Sequence, residues 1–386
     1  MNPPRAQIVI ELPAIRHNVA LLREHTGVDV MTVVKADGYG HGLLPAAAAA
    51  RQGGATWLGV ATVDEAMQLR AAGDTGRILS WLTVPGEEYA PLVDAHVDLT
   101  VYTLAELDEV VAAVRDVPAR VQIKVDTGLS RGGAAHADWH DLFAAAAEEE
   151  RQGRIRVTGV WSHFACSDEP EHPANDAQHT AFEEALKIAT AAGLEPEVRH
   201  LANSAAALLR PSSRYDLVRC GLASYGLDPA PGRTPDLSTP DRPGLLPAMR
   251  VSTRLALVKR IDAGDGVSYG HTWYAERPVT VGLLPVGYGD GVPRHASNRA
   301  EVQVGDRRRP LRGRVCMDQV VVELADDHAD PHAAAGDEAV LFGTGLCGEP
   351  TAQDWAEWSD TISYEIVTRI GGRFERRYVD EETAGE

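Results

Sequence analysis

Positive charge is in short supply in this chain. Of 386 residues, 37 are Lys or Arg against 56 Asp or Glu, a formal net charge of −19. Nucleic acids and anionic membrane surfaces are recognised through clustered cations, so neither is an expected partner. The densest basic run, Arg307, Arg308 and Arg309, reads as a solvated turn or edge. Cysteine is equally sparse. Cys166, Cys220, Cys316 and Cys347 are scattered without a CxxC pair, which suggests neither a zinc site nor a disulfide framework, and no metal is expected. No apolar stretch reaches the length of a membrane span, and the opening MNPPRAQIVIELPAIRHN lacks a basic segment followed by a long apolar core. There is no internal repeat and no low-complexity segment beyond short alanine runs. A soluble cytoplasmic protein is the expectation.

What is present is an ordinary globular composition, 44% hydrophobic and 24% charged, in a chain long enough for two domains. Residues 6–12 read as a strand and 13–25 as an amphipathic helix. Short apolar runs then recur at 30–34, 57–60, 78–82, 99–102, 121–125, 157–161, 197–201 and 217–219. Helical patterns fall between most of them, at 43–52, 63–72, 104–114, 139–151, 177–191 and 204–209. Eight such units predict an α/β fold, a parallel (β/α)8 TIM-like barrel, although an open doubly wound sheet would show the same alternation. Residues 228–247, rich in Pro and Gly, read as a linker. Beyond it, 248–261, 279–284, 301–304, 320–324 and 338–342 read as strands, and 351–370 as helical. The expectation is a barrel over 1–240 and a C-terminal mainly-β domain over 241–386, with residues 1–12 open to pairing with the latter.

The string VVKADGYGHG organises the chain. A buried strand stops at Lys35, and a Gly-rich turn follows. A lysine there is partly desolvated, which favours the neutral amine able to attack a carbonyl. Tyr39 offers a hydroxyl from the same turn. In a barrel, reactive groups sit at strand carboxyl ends. Those ends carry Lys124 and Arg131 (KVDTGLSRGG), His163 (WSHFACSDE), Asn203 and Ser204 (HLANSAA), and Arg219, Gly221 and Leu222 (VRCGLASYG). Singly, each has a plain structural reading: a salt-bridged rim, a buried His, a helix N-cap. Loops after strands seven and eight are nevertheless a common phosphate site in this fold class. The second domain contributes Tyr269 (DGVSYGHTW), Tyr288 (LPVGYGDGVPRH), Met317 and Asp318 (GRVCMDQ), and Tyr364 (TISYEI).

Taken together and in this order, these nine strings resemble the alanine racemases along the chain from about Ile10 to Tyr378. The resemblance implies a pyridoxal 5'-phosphate (PLP) enzyme, an isomerase that interconverts L- and D-alanine and supplies D-alanine for peptidoglycan. It implies a homodimer with shared active sites. It makes Lys35 the Schiff-base lysine and one catalytic base, and Tyr269 the other. Arg219 would face the pyridine nitrogen, with His163 linking it toward Tyr269 and Asp318 in support. Tyr39, Asn203, Ser204, Gly221, Leu222 and Tyr364 would hold the cofactor phosphate. Arg131 and Met317 would hold the substrate carboxylate. Lys124 matches a lysine that is often carbamylated, and Tyr288 with Tyr364 would narrow the entrance. Gly38 stands where Ala is usual and Cys220 where Pro is usual, and Trp81 and Leu82 lie near a position usually small or aliphatic. Alternatives are a racemase of broader specificity (serine or basic amino acids), a PLP-dependent decarboxylase, and a non-enzymatic PLP-binding barrel.

Overall fold

The structure, a computed structural model, describes residues 4–326 and 333–380. It divides into two compact units. One holds Ile15–Gly38 and Gly42–Leu245; the other gathers the chain up to Ala14, Tyr39–His41 and everything from Leu246 onward. The first strand, β1 (Ala6–Glu11), belongs to the second of these.

The first unit contains β2 (Asp29–Val33), β3 (Trp57–Val60), β4 (Arg77–Ser80), β5 (Asp98–Val101), β6 (Ala119–Lys124), β7 (Ile155–Trp161), β8 (Val198–His200) and β9 (Leu217–Cys220). All neighbours pair in parallel, in the order β8-β7-β6-β5-β4-β3-β2-β9. The pairing of β9 with β2 excludes the open doubly wound sheet. Between β8 and β9 a single parallel bridge, Asn203 to Arg219, nearly closes the barrel. Four of the eight strands, β2, β4, β5 and β6, begin and end one or two residues earlier than their apolar runs; β3 coincides with its run.

Helices occupy Leu43–Gln52, Val63–Ala71, Leu104–Ala112, Trp139–Arg151, Ala174–Ala191 and Ser204–Leu209. The helices starting at Val63 and Leu104 are opened by reciprocal capping boxes, Thr62 with Glu65 and Thr103 with Glu106. A five-residue helix, Ala90–Asp94, lies where Pro85 and Pro91 conceal any helical pattern in the sequence. Inside the barrel Met31, Trp57, Leu79, Trp161, Val198 and Leu217 form one buried cluster, with Trp81 packed on it. At the strand amino ends, Arg77 and Arg120 pair with the buried Asp98 and with Glu197. No helix among the described residues is long and apolar enough to cross a membrane.

The second unit is a nine-stranded sheet. Its later strands are β10 (Met249–Arg254), β11 (Leu257–Ile261), β12 (Val279–Leu284), β13 (Glu301–Val304), β14 (Arg307–Arg312), β15 (Val320–Asp326), β16 (Glu338–Phe342) and β17 (Glu375–Val379). The order is β11-β12-β15-β14-β13-β16-β10-β1-β17. β1 runs antiparallel to β10 and parallel to β17. Three expectations need correction. The run 248–261 is two strands, broken at Leu255 and Ala256. The basic run Arg307–Arg309 is neither a turn nor an edge but the start of β14, between β15 and β13; Arg307 and Arg308 are exposed and Arg309 is buried. The helical stretch is two helices, Ala352–Trp358 and Ser363–Arg369, separated near Asp360, whose φ is +54°. β17 went unseen because its sequence, ERRYV, carries three charges.

Candidate active site

Lys35 follows β2 at the carboxyl end of the barrel. The chain then makes a left-handed turn: Ala36, Asp37, Gly38 and Tyr39 have φ between +53° and +61°. Ala36, Asp37 and Tyr39 each forgo roughly 1–2 kcal/mol in that conformation. Hydrogen bonds hold it. Glu65 accepts from the Ala36 N–H at 2.7 Å, Val34 O accepts from Gly38 N at 2.8 Å, and Asp37 Oδ1 accepts from Leu43 N at 2.8 Å. Strain of this kind concentrates at functional sites. Gly40 must be glycine: its φ is +80°, and a Cβ there would lie 2.2 Å from the Val367 carbonyl oxygen. Burial and the nearby Arg131 charge lower the Lys35 pKa, partly opposed by Glu65, which makes its neutral form more accessible than that of an exposed lysine. Its Nζ stands 5.7 Å from the Trp81 ring centre.

Arg219, on β9, is buried and surrounded by neutral acceptors. Nη1 donates to His200 Nδ1 at 2.9 Å. Nη2 donates to Ser162 O at 2.7 Å, Leu201 O at 3.0 Å and His163 Nδ1 at 3.2 Å. Burial pulls its pKa down to about 9, which leaves it charged at neutral pH. Burial and then the charges of Arg219, Arg131, Lys124 and Lys35 hold His163 well below the ordinary imidazole range. Lys124, at the end of β6, lies 4.7 Å from the Trp161 ring centre and 5.4 Å from that of Tyr102. Burial, then Arg219 and Arg131, bring its pKa to about 8. Lys35, Lys124, Arg131, His163 and Arg219 therefore share one electrostatic neighbourhood. Arg131 sits on a loop curled by Asp126, whose Oδ1 accepts from Gly128 N and Ser130 N.

Ser204 opens the helix after β8, and its hydroxyl accepts from Gly221 N at 3.1 Å and Ala223 N at 3.3 Å. Asn203 caps that helix through Ala206 N and also accepts from Ser167 Oγ. In the other unit, Tyr39 is buried with its ring centre 6.0 Å from that of Tyr364, and burial followed by Tyr364 raises its pKa. Tyr269, Tyr288 and Met317 are exposed. The Tyr288 and Gly289 N–H groups donate to the carbonyls of Cys316 and Met317, so the two loops are laced together. Arg373 braces the same loops, reaching Asp318 at 2.5 Å and the buried Asp290 at 2.7 Å. Burial alone would raise the Asp290 pKa; hydrogen bonds from Arg373 and the Gly287 N–H, with the Arg373 charge, together outweigh it and lower it. Ser268, just before Tyr269, has φ +62° and ψ −173°, a region essentially reserved for glycine. Its hydroxyl donates to Arg314 O at 2.6 Å and lies 3.2 Å from Cys316 Sγ.

Two family models match the chain. One, described as "Alanine racemase, N-terminal domain", covers residues 10–229; the other, "Alanine racemase, C-terminal domain", covers residues 248–378. The chain belongs to the alanine racemase family. The alanine racemase of Thermobifida fusca is 54% identical over 97% of this chain and 98% of its own length. That of Streptomyces coelicolor is 51% identical over 98% and 96%. Among solved structures, the alanine racemase of a D-cycloserine-producing Streptomyces lavendulae has a TM-score of 0.93 at 48% identity and covers 99% of both chains. One from Bacillus anthracis with bound L-Ala-P has a TM-score of 0.86 at 32% identity, covering 98% of this chain and 96% of its own.

Every residue singled out by resemblance to the alanine racemases lies on a strand end, a turn or a short helix at the positions given above. Several supporting residues were not singled out. Glu65 had a signal, the Thr-x-x-Glu capping pattern, but nothing local tied it to the Lys35 turn. His200, Gln122 and Arg373 are joined to their partners across 19 to 83 residues of sequence, and no spacing rule reveals them. Among the described residues no group of three or more His, Cys, Asp or Glu is placed to hold a metal.

Proposed function

We propose that this chain is a PLP-dependent alanine racemase, interconverting L- and D-alanine by exchange of the Cα proton between two bases. The residues fit the cofactor by their donor chemistry: a partly desolvated amine for an aldehyde, hydroxyl and N–H donors for a phosphate, and a fixed cation for a ring nitrogen. When bound, PLP supplies that aldehyde and a conjugated ring that spreads the negative charge left at Cα. Lys35 would hold it, Arg219 would face its ring nitrogen, and Tyr39, Asn203, Ser204, Gly221, Leu222 and Tyr364 would hold its phosphate.

The rest is work for this chain's own side chains. Arg131 and the Met317 N–H bind the substrate carboxylate and so orient the Cα–H bond. The Lys35 amine removes or returns the proton of the D enantiomer, and the Tyr269 phenol that of the L enantiomer. A tyrosine has a reference pKa of about 10 and needs cationic help to act as a base near neutrality. Arg219, acting through the neutral His163 to which it is hydrogen-bonded, is the source proposed here. Tyr288 and Tyr364 narrow the entrance, Asp318 steadies the Met317 loop through Arg373, and a carbamate on Lys124 would steady Arg131. Because Lys35 and Tyr269 belong to different units, we further propose a homodimer in which each site draws on both chains. D-alanine for peptidoglycan is the proposed physiological product, made in the cytoplasm.

The observation that carries the reading is Arg219, a buried guanidinium held only by neutral acceptors. A decarboxylase needs a carboxylate at the ring nitrogen to keep it protonated; a guanidinium keeps its own protons. A chirality assay of the purified holoenzyme over the twenty amino acids tests this. L- and D-alanine should interconvert without loss of mass. Release of carbon dioxide, or faster turnover of serine or a basic amino acid, would replace the reading.

A further inference from the structure

We propose that Gln122 is a positioning residue for racemisation, accepting the single N–H of His200 and thereby keeping His200 Nδ1 open to Arg219. The logic begins with donors. A guanidinium has N–H groups and no acceptor. Arg219 Nη1 lies 2.9 Å from His200 Nδ1, so that nitrogen must carry a lone pair. In a neutral ring the proton then sits on Nε2, which is 2.7 Å from Gln122 Oε1. The amide must present its oxygen. Turned over, its NH2 would face the His200 N–H, or the ring proton would have to move to Nδ1, against the guanidinium.

Packing enforces the arrangement. Gln122 and His200 are fully buried. The Trp161 ring stacks on His200, centroids 5.5 Å apart and planes within 8°, and the Arg219 guanidinium lies 4.8 Å from the same indole. Behind the amide, Gly159 leaves the room it needs: a Cβ there would stand 2.7 Å from Gln122 Cδ. The orientation is kept even though Gln122 Nε2 finds no protein partner, so His200 and not the amide nitrogen dictates it. Burial and the Arg219 charge also hold the His200 pKa well below the ordinary imidazole value.

The chain of donors thus runs one way, from Arg219 through His200 to Gln122, and ends on a neutral amide. A carboxylate at its end would stabilise an imidazolium, place a proton on Nδ1 and turn Arg219 away. This proposal rests on the reading of Arg219 given above, but its first test does not. Nitrogen-15 NMR of histidine-labelled holoenzyme, with His200 assigned by His200→Asn, should show a neutral ring protonated on Nε2 from about pH 6 to about pH 9. Gln122→Met, of similar size without the acceptor, should mix the tautomers. It should also lower kcat about tenfold, the scale of a lost orienting hydrogen bond, with KM held within about twofold. Gln122→Glu should give an imidazolium and a larger loss; if it does not fold, Gln122→Met still decides. A wild-type ring protonated on Nδ1, or a Gln122→Met protein with unchanged tautomer and kcat, overturns the proposal. Failure of the wild type to racemise alanine would instead overturn the functional reading and leave the tautomer result standing.

Discussion

Lys124 shows what a barrel mouth does to one side chain. Its amine is buried, beside two aromatic rings, and faces other cations; burial and those charges bring its pKa down to about 8. Only the neutral amine can bond to the carbon of carbon dioxide, releasing a proton as the carbamate forms. The neutral fraction of Lys124 therefore rises through pH 8, whereas an exposed lysine stays protonated until near pH 10. Labelled carbon dioxide should give a carbamate signal in 13C NMR that grows from about pH 7 to about pH 9 and is absent in Lys124→Met. A signal that survives the substitution would place the modification elsewhere. At this scale the sequence was legible where a residue ends a strand: position marked Lys35, Lys124, His163 and Arg219 as candidates, and the strings around them lifted them above a structural reading. Gln122, His200 and Arg373 did not, because their meaning lies in partners supplied by distant strands.

Among the elements, the left-handed turn after β2 is the least expected from local preference. Glycine pattern alone suggested a turn, but three of its residues with positive φ carry side chains. The turn persists because Glu65, Val34 and Asp37 satisfy its polar groups from three directions. Gly40→Ala should destabilise the protein by about 2–5 kcal/mol, through backbone strain and collision with Val367. Gly27→Ala is the control. Its φ is +70° with open space around it, so it should lose only about 1–2 kcal/mol. Chemical denaturation of both variants measures the difference; equal losses would mean that the Val367 contact yields easily. The barrel strands were readable because each is a short apolar run between helices, buried on both faces. β14 and β17 were not, since their charged residues mimic loops and only strand pairing identifies them.

For the whole molecule, the central claim is that two bases from different units act on opposite faces of one Cα. If the sites are shared between chains, mixing inactive Lys35→Ala with inactive Tyr269→Phe should restore part of the activity, because some mixed dimers regain one intact site. No recovery after proven subunit exchange would mean that each chain builds its own site. Domain order and the nine strings were readable along the sequence, but the source of each base in the assembly is a matter of association that no single chain encodes visibly. The most direct test of the two-base claim is exchange of the Cα proton in deuterated water by the Tyr269→Phe holoenzyme. The account predicts that exchange from L-alanine collapses while exchange from D-alanine, handled by Lys35, largely survives. Equal and small losses from both enantiomers would contradict it and leave Tyr269 a wall of the pocket.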